Sequence, residues 1–152
     1  MTPRLNPFAA APAPMQSWLD FGKGILQSGL ENSLMALVEI RASQVNGCAC
    51  CLHMHTADAR KQGETEERLY LLDAWRESPL YDERERAALA WTEALTLIAE
   101  THAPDAVYEK VRQQFSEEEV VKLSLLIATI NAWNRIAIGF RSVHPTTVRE
   151  GA

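Results

Sequence analysis

The sequence predicts an all-α fold, a compact multi-helix bundle, on three observations. Apolar residues recur at helical spacing through most of the 152 residues. Strand signals are nearly absent, with no alternating β-branched run and no Asn-Gly turn between strand-like segments. Capping residues stand where several of the helical patterns begin or end.

Taken in order, residues 1–15 carry Pro3, Pro7, Pro12 and Pro14 and read as an extended Pro/Ala-rich N-terminal arm, able to pack on a neighbour through Leu5 and Phe8. A single all-α domain is expected over 16–145, and a C-terminal tail over 146–152. Within the domain the pattern predicts helices over Met15–Gln27, Ser33–Gln44, Cys48–Lys61, Glu64–Trp75, Asp82–Glu100, Asp105–Phe115 and Glu117–Phe140. Gly63 sits where a C-terminal cap needs positive φ. Pro104 precedes the Asp105 helix, and Ser116 with Glu119 has the form of a capping box opening the last one.

Composition narrows the class of function. The net charge is −5, and 15 Lys and Arg are scattered among 20 Asp and Glu, which argues against a nucleic-acid surface. The stretch from Val120 to Phe140 has the length of a membrane span, but Lys122, Asn131, Asn134 and Arg135 interrupt it, so a buried core helix is expected rather than a membrane segment. The N-terminus is broken by prolines and has no long apolar run of a secretory signal. Three clustered cysteines do not make a disulfide framework, so a cytoplasmic chain with local thiol chemistry is expected.

That chemistry is concentrated in NGCACCLHMH, residues 46–55. With Asn46-Gly47 as a break and Asn or Gly as N-cap, a new helix begins at Cys48, in the first turn where backbone N–H groups are unpaired. Those groups and the helix dipole favour a thiolate. Cys48, Cys51 and His55 follow i, i+3 and i+4 steps along one face, whereas Cys50 and His53 point elsewhere. Two cysteines so spaced can close a disulfide, and a histidine one turn on can take a thiol proton. The residues thus read as a redox dithiol with a built-in base, one sulfur attacking and the other resolving. Two other readings stand beside it. Cysteines also serve as small buried packing residues. Zinc could take Cys48, Cys51 and His55 as three ligands, although no second ligand pair with finger spacing is present.

The segment EIRASQVNGCACCLHMHTADARKQGE resembles the core of the alkylhydroperoxidase D (AhpD)-like proteins of the carboxymuconolactone decarboxylase superfamily. The shared features are the Ser-Gln-x-Asn-Gly lead-in, the Cys-x-x-Cys and the His four residues beyond it. The resemblance continues through ERLYLLDAWRESPLYDERERAALAWTEALT and NAWNRIAI. It implies an all-α, oligomeric protein, a trimer or hexamer, that reduces hydrogen peroxide or organic hydroperoxides in antioxidant defence. Its working group would be a redox-active Cys48–Cys51 disulfide, with no metal or other cofactor. By the same resemblance Cys51 is the peroxidatic cysteine, Cys48 the resolving one and His55 part of a proton relay. Its electron donor would be a dithiol such as a lipoylated or thioredoxin-like protein.

Two positions depart from the family pattern. The relay glutamate expected twelve residues before the first Cys is here Ala36, and Glu39, one turn later on the same face, is its natural substitute. The competing reading of Glu39 is a surface carboxylate or a partner for Arg41. Cys50 occupies the interior of the Cys-x-x-Cys and is expected to pack, or to permit alternative disulfides. Asn131, Asn134, Arg135 and Glu93 lie in apolar surroundings and are expected to satisfy one another, helix ends or a subunit interface. Trp75, Trp91 and Trp133 read as core or interface aromatics, and His102 and His144 as surface residues. Two alternatives to the peroxidase are a carboxymuconolactone decarboxylase-type enzyme, whose branch generally lacks the cysteine pair, and a non-catalytic redox-sensing oligomer.

Overall fold

The computed structural model describes residues 2–145, so the expected tail over 146–152 lies outside the described residues. Every regular element among them is helical. The elements are α1 (Pro7–Ala10), α2 (Pro12–Leu26), α3 (Asn32–Asn46), α4 (Ala49–Lys61), α5 (Glu66–Leu71) with a 3₁₀ turn over Leu72–Ala74, α6 (Glu83–Thr96), α7 (Ile98–Thr101), α8 (Asp105–Gln114) and α9 (Glu117–Phe140).

The expected extended arm is corrected from Pro7 onward: Pro7, Pro12 and Pro14 fall in the first turns of helices instead of preventing them, and residues 2–6, with Pro3, lie outside any helix. Pro7 and Pro12 occupy the first helical turn, where a backbone N–H has no intrahelical partner and a fixed φ is an advantage. The Asn6 carboxamide caps α1 by accepting from the N–H groups of Phe8 (3.0 Å) and Ala9 (3.3 Å). Leu5 and Phe8 lie against the chain's own α9 side, lining a cavity described below. The expected helix over Asp82–Glu100 is two helices, broken at Leu97. There the Thr101 hydroxyl donates to the Ala94 carbonyl (2.6 Å), satisfying an acceptor that the end of α6 leaves free. The expected helix over Glu64–Trp75 begins later, behind a Thr65 cap, and tightens into the 3₁₀ turn.

Both capping signals hold. Ser116 and Glu119 form a reciprocal capping box at the start of α9, and Gly63 has φ +98°. Asp82 and Glu85 form a second capping box opening α6.

α3 is the central element. It packs on α4, α6 and α9, and its two sides feed two apolar clusters. Leu34, Met35 and Val38 join Trp91, Leu123, Leu126 and Ile127 in the first, while Leu37 and Ile40 join Leu72, Trp75 and Leu89 in the second. A helix buried on two sides must be apolar around most of its circumference, which explains the run LMALVEI. α9 is long and apolar enough to cross a membrane by length and composition. In this fold its Leu123, Leu126, Ile127 and Ile130 are buried among the other helices.

Candidate active site

The α3–α4 junction places the cysteines. Gly47 ends α3 in the left-handed region (φ +67°), its N–H bonding the Gln44 carbonyl while the Cys48 N–H reaches the Ser43 carbonyl (2.9 Å). This Schellman closure makes Gly47 the C-terminal cap of α3, not the N-cap of the next helix. Cys48 is itself the N-cap of α4, its sulfur accepting from the Cys51 N–H at 3.4 Å.

A polar network locks the junction onto α9. The Asn46 carboxamide donates to Asn134 Oδ1 (2.8 Å) and Asn131 Oδ1 (3.0 Å), and Asn134 Nδ2 donates to Ser43 Oγ (3.0 Å). The Ser43 hydroxyl in turn donates to the Glu39 carbonyl (2.7 Å), and Arg135 Nη1 donates to Asn131 Oδ1 (3.0 Å). Asn134 is fully buried, and its polar atoms are satisfied in this network. The polar residues of the most apolar helix thus satisfy one another and the end of α3.

Cys48 and Cys51 are joined as a disulfide, with Cα atoms 5.4 Å apart, and both are nearly inaccessible to solvent. His55 Nδ1 lies 3.2 Å from Glu39 Oε2, and both side chains are largely shielded. Arg41 turns the other way, pairing with Glu93 (2.8 Å) and Asp73. Glu93 also accepts from Trp75 Nε1 (2.8 Å) and pairs with Arg76 (2.5 Å). Burial pushes the Glu93 carboxyl up, but hydrogen bonds from Arg76 and Trp75 and the charge of Arg41 outweigh it and hold it below the ordinary glutamate value.

A cavity of about 660 Å³ opens beside the disulfide. Cys51, His55 and Glu39 line it; Cys48 does not. α4 contributes Cys50, Cys51, Met54 and His55, which are two i, i+4 pairs on adjacent tracks of one face. The expectation that Cys50 points elsewhere is therefore corrected: Cys48, as N-cap, sits behind the face, and Cys50 flanks Cys51 on it. His53 does point away, its exposed ring stacked on His144 at 4.7 Å. Trp133 is not a core residue like Trp75 and Trp91; it lines the cavity, with Phe8 stacked near-parallel at 6.3 Å and Trp18 tilted against it at 6.2 Å. No spacing rule within α4 signals Trp133 or the N-terminal segment, because both arrive by tertiary packing.

The zinc reading finds no support in the arrangement. Among the described residues no three His, Cys, Asp or Glu side chains are grouped as a metal ion would need, and the two candidate sulfurs are bonded to each other.

Fold and site together define an all-α protein with an AhpD-like fold and a Cys-x-x-Cys disulfide at a helix N-terminus. The sequence profile of the carboxymuconolactone decarboxylase family matches residues 12–94, and the chain belongs to that family. It is 46% identical over 138 residues to the uncharacterised protein YdfG of Bacillus subtilis (strain 168), covering 91% of this chain and 94% of that one. ATU0492 of Agrobacterium tumefaciens, a protein of unknown function provisionally assigned as the antioxidant defence protein AhpD, superimposes with a TM-score of 0.93 at 46% identity. That match covers 95% of this chain and 99% of the other. The debrominase Bmp8 shares the fold at a TM-score of 0.80 and 19% identity, over 91% of this chain and 75% of its own.

Proposed function

We propose that the protein is a thiol-dependent peroxidase that reduces hydroperoxides through Cys51 and Cys48. The observation that carries this reading is the asymmetry of the pair: Cys51 borders the cavity beside His55 and Glu39, while Cys48 lies behind it. A peroxide entering the cavity meets Cys51 first. In the reduced enzyme the Cys51 thiolate attacks one peroxide oxygen, the O–O bond breaks, and the alkoxide or hydroxide leaves with a proton delivered through His55. The resulting sulfenic acid condenses with the Cys48 thiol, forming the disulfide and releasing water. A dithiol donor, such as a lipoylated or thioredoxin-like protein, then reduces the disulfide and is itself oxidised. His55 handles the proton, and Glu39 orients the imidazole.

Cys51→Ser should abolish sulfenic-acid trapping after peroxide treatment and abolish turnover with dihydrolipoamide. Cys48→Ser should retain the trapped sulfenic acid and lose turnover. If Cys48→Ser alone abolishes trapping, the two roles are reversed. Oxidation without donor-driven turnover would favour the redox-sensing oligomer, and a protein whose thiols ignore peroxide is not a peroxidase.

Decarboxylation of a carboxymuconolactone is the weaker reading, because such an anionic substrate needs cations and, among the described residues, Lys23 is the one lysine or arginine lining the cavity. Exposed apolar side chains on α2 and α9, among them Phe21 and Val121, support self-association as a trimer or hexamer, which sedimentation velocity measures.

A further inference from the structure

The N-terminal segment has a position that the peroxidase reading does not require. Pro3, Leu5, Asn6, Pro7 and Phe8 all line the cavity that holds Cys51. The segment is fastened at the far end of α9. The Arg4 N–H donates to the Phe140 carbonyl (3.0 Å) and Arg4 Nη1 donates to the Gly139 carbonyl (3.1 Å). These carbonyls belong to the last turn of the helix, where acceptors lack intrahelical partners and a cation is favoured. Asn6 caps the short helix that carries Phe8, and Phe8 stacks on Trp133. The fastening thus fixes two large apolar side chains, Leu5 and Phe8, at the cavity while leaving them 49% and 46% exposed.

The size and chemistry of the cavity give this wall a use. A volume of about 660 Å³ falls in the range of pockets for drug-sized ligands, roughly 300–1,000 Å³. Hydrogen peroxide, little larger than a water with its share of about 30 Å³, fills a small part of it and gains little from the walls. Cys51 lies in the cavity lining with Glu39, Cys50 and His55, and although Asn6, Lys23, Thr129 and Ser142 add polar groups elsewhere, most of the lining, Leu5, Phe8, Leu26 and Trp133 among it, is apolar. Such an arrangement fits a molecule with one reactive head and an apolar body.

We propose that the N-terminal segment, through Leu5 and Phe8, is the specificity-determining wall that holds the organic body of a hydroperoxide while its O–O group lies at Cys51. This rests on the peroxidase reading for the chemistry, but not for the binding. The apolar contacts lower KM for organic hydroperoxides and do little for hydrogen peroxide. Phe8 and Leu5 touch the body of the substrate and take no part in bond making.

The test uses the full chain with cumene hydroperoxide and hydrogen peroxide as paired substrates. Phe8→Ala should lower the ratio of kcat/KM for cumene hydroperoxide to that for hydrogen peroxide by about tenfold, mainly through KM. Leu5→Ala should lower it in the same direction, and Phe8→Leu, which keeps apolar volume, should restore most of it. In parallel, 2-phenyl-2-propanol, the alcohol product, should change the tryptophan fluorescence of the oxidised protein, with saturation weakened in Phe8→Ala. A ratio within twofold of wild type in both alanine variants, with unaltered alcohol binding, overturns the proposal and leaves the peroxidase standing. Absence of turnover with either peroxide overturns the peroxidase instead, and the alcohol titration then decides the wall alone: binding weakened by Phe8→Ala upholds it, and undiminished binding removes it.

Discussion

Glu39 and Arg41 lie two residues apart on α3, yet Glu39 reaches His55 and Arg41 reaches Glu93 and Asp73. The carboxylate is therefore free of the nearest cation and committed to the imidazole, an arrangement suited to fixing the ring's tautomer and direction. On the peroxidase reading Glu39→Gln should slow peroxide-dependent oxidation of Cys51 on the order of a hundredfold in kcat, with KM little altered. Glu39→Asp should recover part of the rate. Stopped-flow tryptophan fluorescence measures this, and an unimpaired Gln variant would reduce the pair to a structural contact. Helical register made Glu39 legible, because a carboxylate one turn from Ala36 stays on the same face. Whether it would pair with Arg41 was not legible, since that depended on where Glu93 and Asp73 arrive from other elements. Cys50 was misplaced for a related reason. Spacing within α4 shows which residues share a face, but the cavity that selects a face is built by the N-terminal segment and α9.

At the scale of elements, the local signals were the reliable ones. Capping boxes and cap glycines act within a few residues, so Ser116, Glu119 and Gly63 marked their boundaries directly. The break at Leu97 had no such mark, because α6 and α7 continue one apolar pattern across it. The N-terminal prolines were ambiguous in a definable way: proline forbids the helix interior but favours the first turn, and its position is known only once the helix is. Glycine shows the same dependence on position. Gly47 sits at φ +67° with no neighbouring atom within 4 Å of an added Cβ, so Gly47→Ala meets conformational strain alone and should cost about 1–2 kcal/mol. Gly24 lies exposed inside α2, again with open space, and Gly24→Ala should stabilise by about 0.5–1 kcal/mol. The same substitution thus has opposite signs at two sites, which urea denaturation of both variants would read. Like signs would contradict the assigned backbone conformations.

Across the whole molecule, α3 at the centre holds the site in place: the helix that carries Glu39 is packed between two apolar clusters, and its end is pinned to α9 by the asparagine network. The periphery is held by charge. Arg84 from α6 pairs with Glu31 (2.9 Å) before α3 and with Glu119 (2.6 Å) on α9, and its guanidinium covers the Phe115 ring at 3.9 Å. The hydrogen bond from Arg84 is the main influence holding Glu31 below the ordinary carboxylate value. Glu119 is held down to about 2, first by its hydrogen bond to the Ser116 backbone and then by Arg84. A carboxylate whose folded pKa is depressed stabilises the fold above its unfolded value, near 4.5, and loses that contribution as pH falls through the folded value. Removing the shared cation by Arg84→Met should therefore lower the thermal midpoint at neutral pH. The gap between wild type and variant should narrow as pH falls below about 4.5 and through the folded value of Glu119, about 2, as the carboxylates that Arg84 pairs with become protonated. Both side chains are partly solvated, so high salt should reduce the neutral-pH gap as well. Thermal melts followed by circular dichroism at pH 7, 4.5 and 2 provide the comparison. A gap that persists undiminished into acid would assign the role of Arg84 to its packing on Phe115 rather than to its charge.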